Sequence, residues 1–167
     1  AGITSFKIEG RMKSPYYVAT TVNTYRRAID AYLENKEAPF DYVEELEKTS
    51  HRPFTTGFYF GATDKTYVES SQYTQSHEFS AIVLEDSHDG KVLIRLRNRC
   101  FKGDTLEVLS PTDSFNKTIT LGNATDEEGN VVEVFNKINQ HLIIETDVEL
   151  KKNDILRKRV DHEIKRQ

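Results

Sequence analysis

From Glu78 to about residue 158 the chain is cut into short apolar runs by turn residues, and this punctuation limits the fold more than any other feature. Seven runs, near 78–85, 91–97, 104–109, 115–121, 131–135, 141–145 and 154–158, have the length and alternation of strands, with no helical period between them. Asp89-Gly90 separates the first two and suits a type I′ turn, which needs positive φ at both central residues. Gly103, Gly122 and Gly129 mark further turns. Strands at this spacing predict a small closed antiparallel β-barrel, or a sandwich, over 77–160. FKGDTLEVL at 101–109 and LKKNDILRK at 150–158 echo each other, each placing a Gly or Asn and then an Asp ahead of a strand.

The first part of the chain has a different grammar. Residues 3–8, ITSFKI, alternate and stop at Gly10, as a short strand does. Ser14-Pro15 supplies a hydroxyl N-cap and a proline at the first helical position. Val18, Val22, Tyr25, Ile29 and Leu33 then draw an apolar stripe at helical spacing, predicting a helix to near Asn35 whose stripe must be covered. Asp41 and Glu44 open a short second helix that ends before Pro53. The stretch RPFTTGFYFGA is too glycine-broken for a helix and crowds Phe54, Phe58, Tyr59 and Phe60 together; Phe58 and Tyr59 are candidates for stacking on a nucleobase or a peptide, against plain core packing. Residues 61–76 read as a connector with one strand at Thr66–Glu69, and 161–167 as a tail. The overall expectation is a mainly β chain with an α-helical N-terminal segment.

Composition removes several chemistries. No run approaches the roughly 18 apolar residues of a membrane-spanning helix, and a single Cys100 excludes an intrachain disulfide and a cysteine-held cluster, which favours a cytoplasmic setting. The five histidines show no metal-binding spacing, so no metal site is expected, and no nucleophile elbow or phosphate-binding glycine loop is present. The chain opens on Ala1-Gly2-Ile3 without an initiator Met and reads as a piece of something longer.

The net charge of −4 hides a basic region. Residues 91–102 carry Lys91, Arg95, Arg97, Arg99 and Lys102 with no acid, and Arg157, Lys158 and Arg159 follow in the last run. Strand alternation would put Arg95, Arg97 and Arg99 on one outer face, about 6.6 Å apart, where they can meet successive phosphates. Outward arginines also guard a sheet edge against aggregation, so both readings stand.

SFKIEGRMKSPYYVATTVNTYRRAIDAY resembles the signature segment of the U-32 peptidase family, the collagenase-like proteases, and RPFTTGFYFG resembles that family's second motif. EFSAIVLE, RNRCFKGDTLEVLSP and DILRKR resemble its C-terminal domain, which is similar in turn to domain II of translation elongation factors. The resemblance implies that residues 1–37 are the last strand and helix of a (β/α) barrel, 38–76 a helix and aromatic connector, and 77–160 a non-catalytic barrel that presents substrate to an N-terminal catalytic domain of the same protein. Family members are labelled peptidases, and others act in tRNA hydroxylation. It also implies that Glu9, as an acid/base or orienting group, and Arg11, as an anion clamp, sit at the active-site end of that barrel, unless the two merely fix the strand-to-helix turn. An iron–sulfur cluster of the kind some members carry would belong to the N-terminal part, with no cofactor in this stretch. The implied partners are tRNA or another RNA, bound by Arg95, Arg97, Arg99, Lys102, Arg157, Lys158 and Arg159. The alternatives are a polypeptide substrate of a genuine protease, or a structural role with a homodimer formed through the N-terminal helix and no membrane.

Overall fold

A computed structural model describes residues 2–61 and 73–160. Two helices, α1 (Pro15–Leu33) and α2 (Tyr42–Glu47), precede eight strands: β1 (His77–Val83), β2 (Lys91–Leu96), β3 (Thr105–Leu109), β4 (Thr118–Thr120), β5 (Ala124–Thr125), β6 (Val131–Val132), β7 (His141–Glu145) and β8 (Ile155–Arg159). Every ladder is antiparallel, in the order β4-β3-β8-β1-β2-β7-β5-β6. The mainly β chain with N-terminal helices expected from the sequence is the chain observed. Two expected strands differ. Residues 3–8 enter no ladder and leave Ile3 and Phe6 exposed, because the described strand pairings are made among residues after Ser76 and at the single bridge His51–Thr74. The run at 115–121 shrinks to β4 because Asn116 takes a left-handed turn conformation, with φ 61°. The strand expected at Thr66–Glu69 lies outside the described residues.

The sheet curls round one interior. The β3–β4 ladder continues through Leu121, whose N–H donates to Asp104 O and whose carbonyl accepts from Gly103 N, both at 2.8 Å. Three residues later Ala124 pairs with Ile144 of β7. The stretch 118–125 thus joins β3 to β7, and the sheet bends back on itself there; the outer strands β4 and β6 do not pair with each other, so in place of the closed barrel expected from the sequence the sheet is an antiparallel half-barrel, hereafter the barrel. Alternation along β2 turns Val92, Ile94 and Leu96 inward against Val83, Leu106, Leu142 and Leu156, all buried. Burial of this apolar surface is the main favourable contribution to the barrel.

The echo between 101–109 and 150–158 is structural. Asp104 Oδ2 accepts from Phe101 N and Asp154 Oδ2 from Lys151 N, each at 2.8 Å, with positive φ at Gly103 (94°) and Asn153 (75°). Glu107 pairs with Arg157 and Leu93 with Ile143, the same sequence offset in both ladders. The unit β2–turn–β3 therefore recurs as β7–turn–β8 about a local two-fold through both pairs.

α1 starts as expected, with Ser14 Oγ accepting from Tyr17 N, and ends at Asn35, where φ is 53° and Lys36 N donates to Ala31 O. The face it buries is the opposite of the one expected. Tyr16, Thr20, Thr21, Thr24 and Ala31 are turned inward, whereas Val18, Val22, Tyr25 and Leu33 are exposed. The close approach of α1 is to α2, while Tyr16 and Ala19 meet the outer face of the sheet; Thr24 satisfies its hydroxyl on Thr20 O at 2.8 Å, and Thr20 Oγ1 is enclosed without a partner. Tyr16, Ala19, Leu109, Ile155, Phe79 and Phe115 form a second, smaller core between helix and sheet.

Between that core and α2 lies a buried ionic network. Arg157 of β8, fully buried, donates to both oxygens of Glu45 on α2 at 2.6 and 2.9 Å, to Glu107 at 2.7 Å through Nε, and to Asn116 Oδ1 at 2.9 Å. Lys48 pairs with Glu45 at 2.9 Å and Glu107 at 2.7 Å. Burial pulls the Glu107 carboxyl upward, but Arg157 and Lys48 outweigh it and hold it below its ordinary value. Two cations and two carboxylates balance, so a further proton on neighbouring His77 is unwelcome: burial first, then Lys48 and Arg157 against the pull of Glu107, push this imidazole down to about 4.

His77 makes stability pH-dependent. The unfolded chain protonates near pH 6.5 and the folded one only near 4, so the full contribution is present above about pH 6.5 and is lost as pH falls between them. Urea unfolding as a function of pH should show a slope of up to about 1.4 kcal/mol per pH unit in this window, reduced in His77→Gln.

Candidate functional site

The N-terminal turn, the arginine row and the aromatic segment were the sequence candidates, and the structure separates them. Glu9 Oε1 accepts from Arg11 N at 2.9 Å, and Lys13 N donates to Gly10 O at 2.9 Å. The Glu9 carboxylate thus caps the turn into α1 through the Arg11 backbone N–H. Gly10 is needed for close approach, since a Cβ there would stand 2.9 Å from Val18 Cγ2. The Arg11 side chain points to solvent.

The basic residues of the barrel divide three ways. Arg157 is interior, so it does not belong to any surface that meets RNA; alternation along β8 puts Leu156 in the barrel core and turns Arg157, like Ile155, to the helix side. Lys158 is held by Asp104 at 3.0 Å and Glu78 at 3.3 Å, and these carboxylates offset its burial and raise its pKa. Its charge is already matched. Arg97, Arg99 and Lys102 remain outward: Arg97 bonds Asn139 Oδ1 at 3.1 Å and lies 5.6 Å from the Phe79 ring, Arg99 lies 4.6 Å from the Phe101 ring, and Lys102 bonds Asn123 Oδ1 at 2.6 Å. Arg95 is half-buried across from Ile82 and His141, with its Nε enclosed and unpartnered. Arg159 is exposed at the end of β8.

A cleft of about 430 Å³ opens beside Arg97, lined by Ser14, Tyr16, Gln75, His77, Glu78 and Asn98 among others. It joins the barrel's basic side to the N-terminus of α1. Just beyond, Lys13 Nζ lies 5.0 Å from the Tyr73 ring and 5.1 Å from the Tyr17 ring, and the Arg52 guanidinium lies 5.3 Å from Tyr73. Sequence reasoning missed this cluster, because Lys13, Arg52 and Tyr73 are distant in the chain and meet only through the His51–Thr74 bridge. Phe58 and Tyr59, with Phe60, stand more than three-quarters exposed, so core packing does not explain them. Among the described residues no group of three or more His, Cys, Asp or Glu could hold a metal, and Cys100 is buried on the barrel interior; the residues do not fit an iron–sulfur cluster. No helix among them is long and apolar enough to cross a membrane.

The model of peptidase family U32 matches residues 1–69, and that of the U32 C-terminal domain matches 75–157. The chain belongs to peptidase family U32. It is 35% identical over 164 residues, 94% of its length, to tRNA hydroxylation protein P1 of Bacillus subtilis, and 33% identical over 71% of its length to tRNA hydroxylation protein P of Escherichia coli. A collagenase of Porphyromonas gingivalis is 41% identical over 64 residues, 36% of this chain and 16% of its own length. The U32 chain spans 38% and 27% of the first two relatives. Among solved structures, the C-terminal domain of a Geobacillus thermoleovorans protein of the U32 peptidase family is 26% identical with a TM-score of 0.46, over 50% of this chain and 93% of that domain.

The division among the arginines is testable by stability. Arg157→Ala leaves two buried carboxylates without their main partner and should cost about 3–5 kcal/mol in urea unfolding. Arg97→Ala and Arg99→Ala, at the surface, should each stay within about 0.5 kcal/mol of wild type.

Proposed function

We propose that this U32 chain is a recognition module that binds RNA, such as tRNA, for an N-terminal catalytic domain of the same protein, in the cytoplasm. The observation that carries the reading is the 35% identity to a protein named for tRNA hydroxylation, extending along 94% of this chain and so through both the helices and the barrel. The outward Arg97, Arg99 and Lys102 supply charge for phosphates, with Arg95 half-buried on β2, Arg159 on β8, and Lys158 largely neutralised. In a longer protein Glu9 and Arg11, on the turn into α1, are the candidates for acid/base and anion-binding roles. The chain by itself carries no catalytic constellation in this reading.

Polypeptide docking is the second reading, favoured by the collagenase relative and by the apolar stripe left open on α1. Binding of the 167-residue chain to a mixed tRNA pool at two salt concentrations separates them. Three phosphate contacts predict an affinity loss of about 20–40-fold between roughly 50 and 200 mM salt, and the Arg97→Ala/Arg99→Ala/Lys102→Ala variant should bind more weakly with a flatter salt dependence. Absence of tRNA binding at low salt contradicts the RNA reading and leaves polypeptide docking or a structural, dimer-forming role.

A further inference from the structure

The aromatic turn after α2 and the cations beside it are not used by the arginine row. Gly57, at φ 56°, lets the chain fold back so that Tyr59 N donates to Thr56 O and Gly61 N to Phe58 O, both at 3.1 Å. The turn is thus built, and it presents Phe58, Tyr59 and Phe60 at 85, 80 and 81% exposure. Three consecutive exposed aromatics make an apolar patch of the kind that marks an interaction surface, and each buries a large area when covered. Phe54, at the base of the turn, is stacked on His51 at 4.6 Å, and His51 is itself fixed through Thr49 O and Thr74 Oγ1.

The neighbouring cations decide what covers the turn. Lys13 and Arg52 have no carboxylate within ion-pair distance among the described residues; their described neighbours are the rings of Tyr17 and Tyr73. Lys158, by contrast, has two carboxylates. Arg52 adjoins His51, on which Phe54 stacks at the base of the turn, so cations held on aromatic rings without a carboxylate are joined through Phe54 to the exposed aromatics, a set that matches a ligand alternating anionic and flat apolar groups. Single-stranded nucleic acid has that composition: phosphates for the cations and bases for the rings. A polypeptide or a second copy of this net-acidic chain could also cover the rings and pair with the cations, but it would not repeat an anion beside each flat group as a nucleic acid strand does.

We propose that the aromatic turn Phe58–Phe60, with Phe54, stacks unpaired nucleobases of single-stranded RNA while Lys13 and Arg52 hold the flanking phosphates. This rests on the RNA reading above and deepens it, adding the cleft beside Arg97 as the link from the platform to the arginine row. Duplex RNA, whose bases are already stacked, should use the arginine row and not the platform.

The test uses the 167-residue chain with a short single-stranded RNA carrying 2-aminopurine, and a blunt RNA duplex of the same length. In Phe58→Ala/Tyr59→Ala/Phe60→Ala, single-strand affinity should fall at least about fivefold and the 2-aminopurine signal change should disappear, with duplex binding retained. Lys13→Ala/Arg52→Ala should flatten the salt dependence for the single strand. The substituted side chains are at the surface, and an unchanged thermal midpoint confirms that the variants fold. Unchanged single-strand binding in the aromatic variant overturns the platform while leaving the RNA reading intact. Absence of binding to either RNA by wild type overturns both. A concentration-dependent mass that the aromatic variant abolishes, without RNA binding, assigns the turn to self-association instead.

Discussion

The structure depends on the seating of one buried guanidinium. Arg157 rises from β8 between the sheet and the helices, and its planar fork meets both oxygens of Glu45 from α2 while Glu107 and Asn116 take its remaining donors. An ionic group taken out of water is costly unless its hydrogen bonds are complete. Here they are nearly complete, and only one placement of α2 against the sheet makes them so. The network adds little net stability over an apolar substitute, but it fixes the helices in register, as a directional contact does and a greasy one does not.

That register has consequences at the surface. With α2 fixed, Lys48 O receives the Tyr16 hydroxyl at 3.2 Å and α1 lies across β3, β8 and β1. The start of α1 then stands next to the barrel's basic side, and the chain leaving α2 bridges back to Thr74. The two family models meet between residues 69 and 75, yet the Arg157–Glu45 pair crosses that boundary. The helical segment and the C-terminal domain therefore form one packed unit in this chain. The local two-fold adds a further point: Glu107 and Arg157 are equivalent positions of the repeated unit, so the repeat supplied two facing sites that now hold opposite charges.

Much of the barrel was legible because alternation and turn chemistry are local. Asp89-Gly90 takes positive φ at both residues, 48° and 72°, and the Gly/Asn-Asp turns lead into β3 and β8 as their sequences imply. What failed was whatever depended on partners far along the chain. Arg157 reads as a surface cation until Glu45 is brought to it. The α1 stripe reads as the buried face, yet Tyr16, Thr20, Thr21, Thr24 and Ala31 are turned inward, because the partners that select the face, the sheet at Tyr16 and Ala19 and the second helix α2, lie far along the chain. β5 has two residues and no pattern of its own; it exists because β7 offers it an edge. For the candidate site, Arg97 and Arg99 were visible from alternation, together with the half-buried Arg95, and Lys102 from the basic run, whereas the Lys13–Tyr73–Arg52 cluster was not.

Native-state hydrogen exchange in wild type and Glu45→Ala measures the coupling between helices and sheet most directly. If the Arg157 network seats the helices, amides of the Thr20–Thr24 turn should exchange in wild type with free energies close to those of β2 and β8. In Glu45→Ala they should lose protection, while Ile94 and Leu142 in the barrel interior stay protected better than the helix. Unchanged α1 protection in the variant, or an α1 that is already unprotected in wild type, would contradict the account.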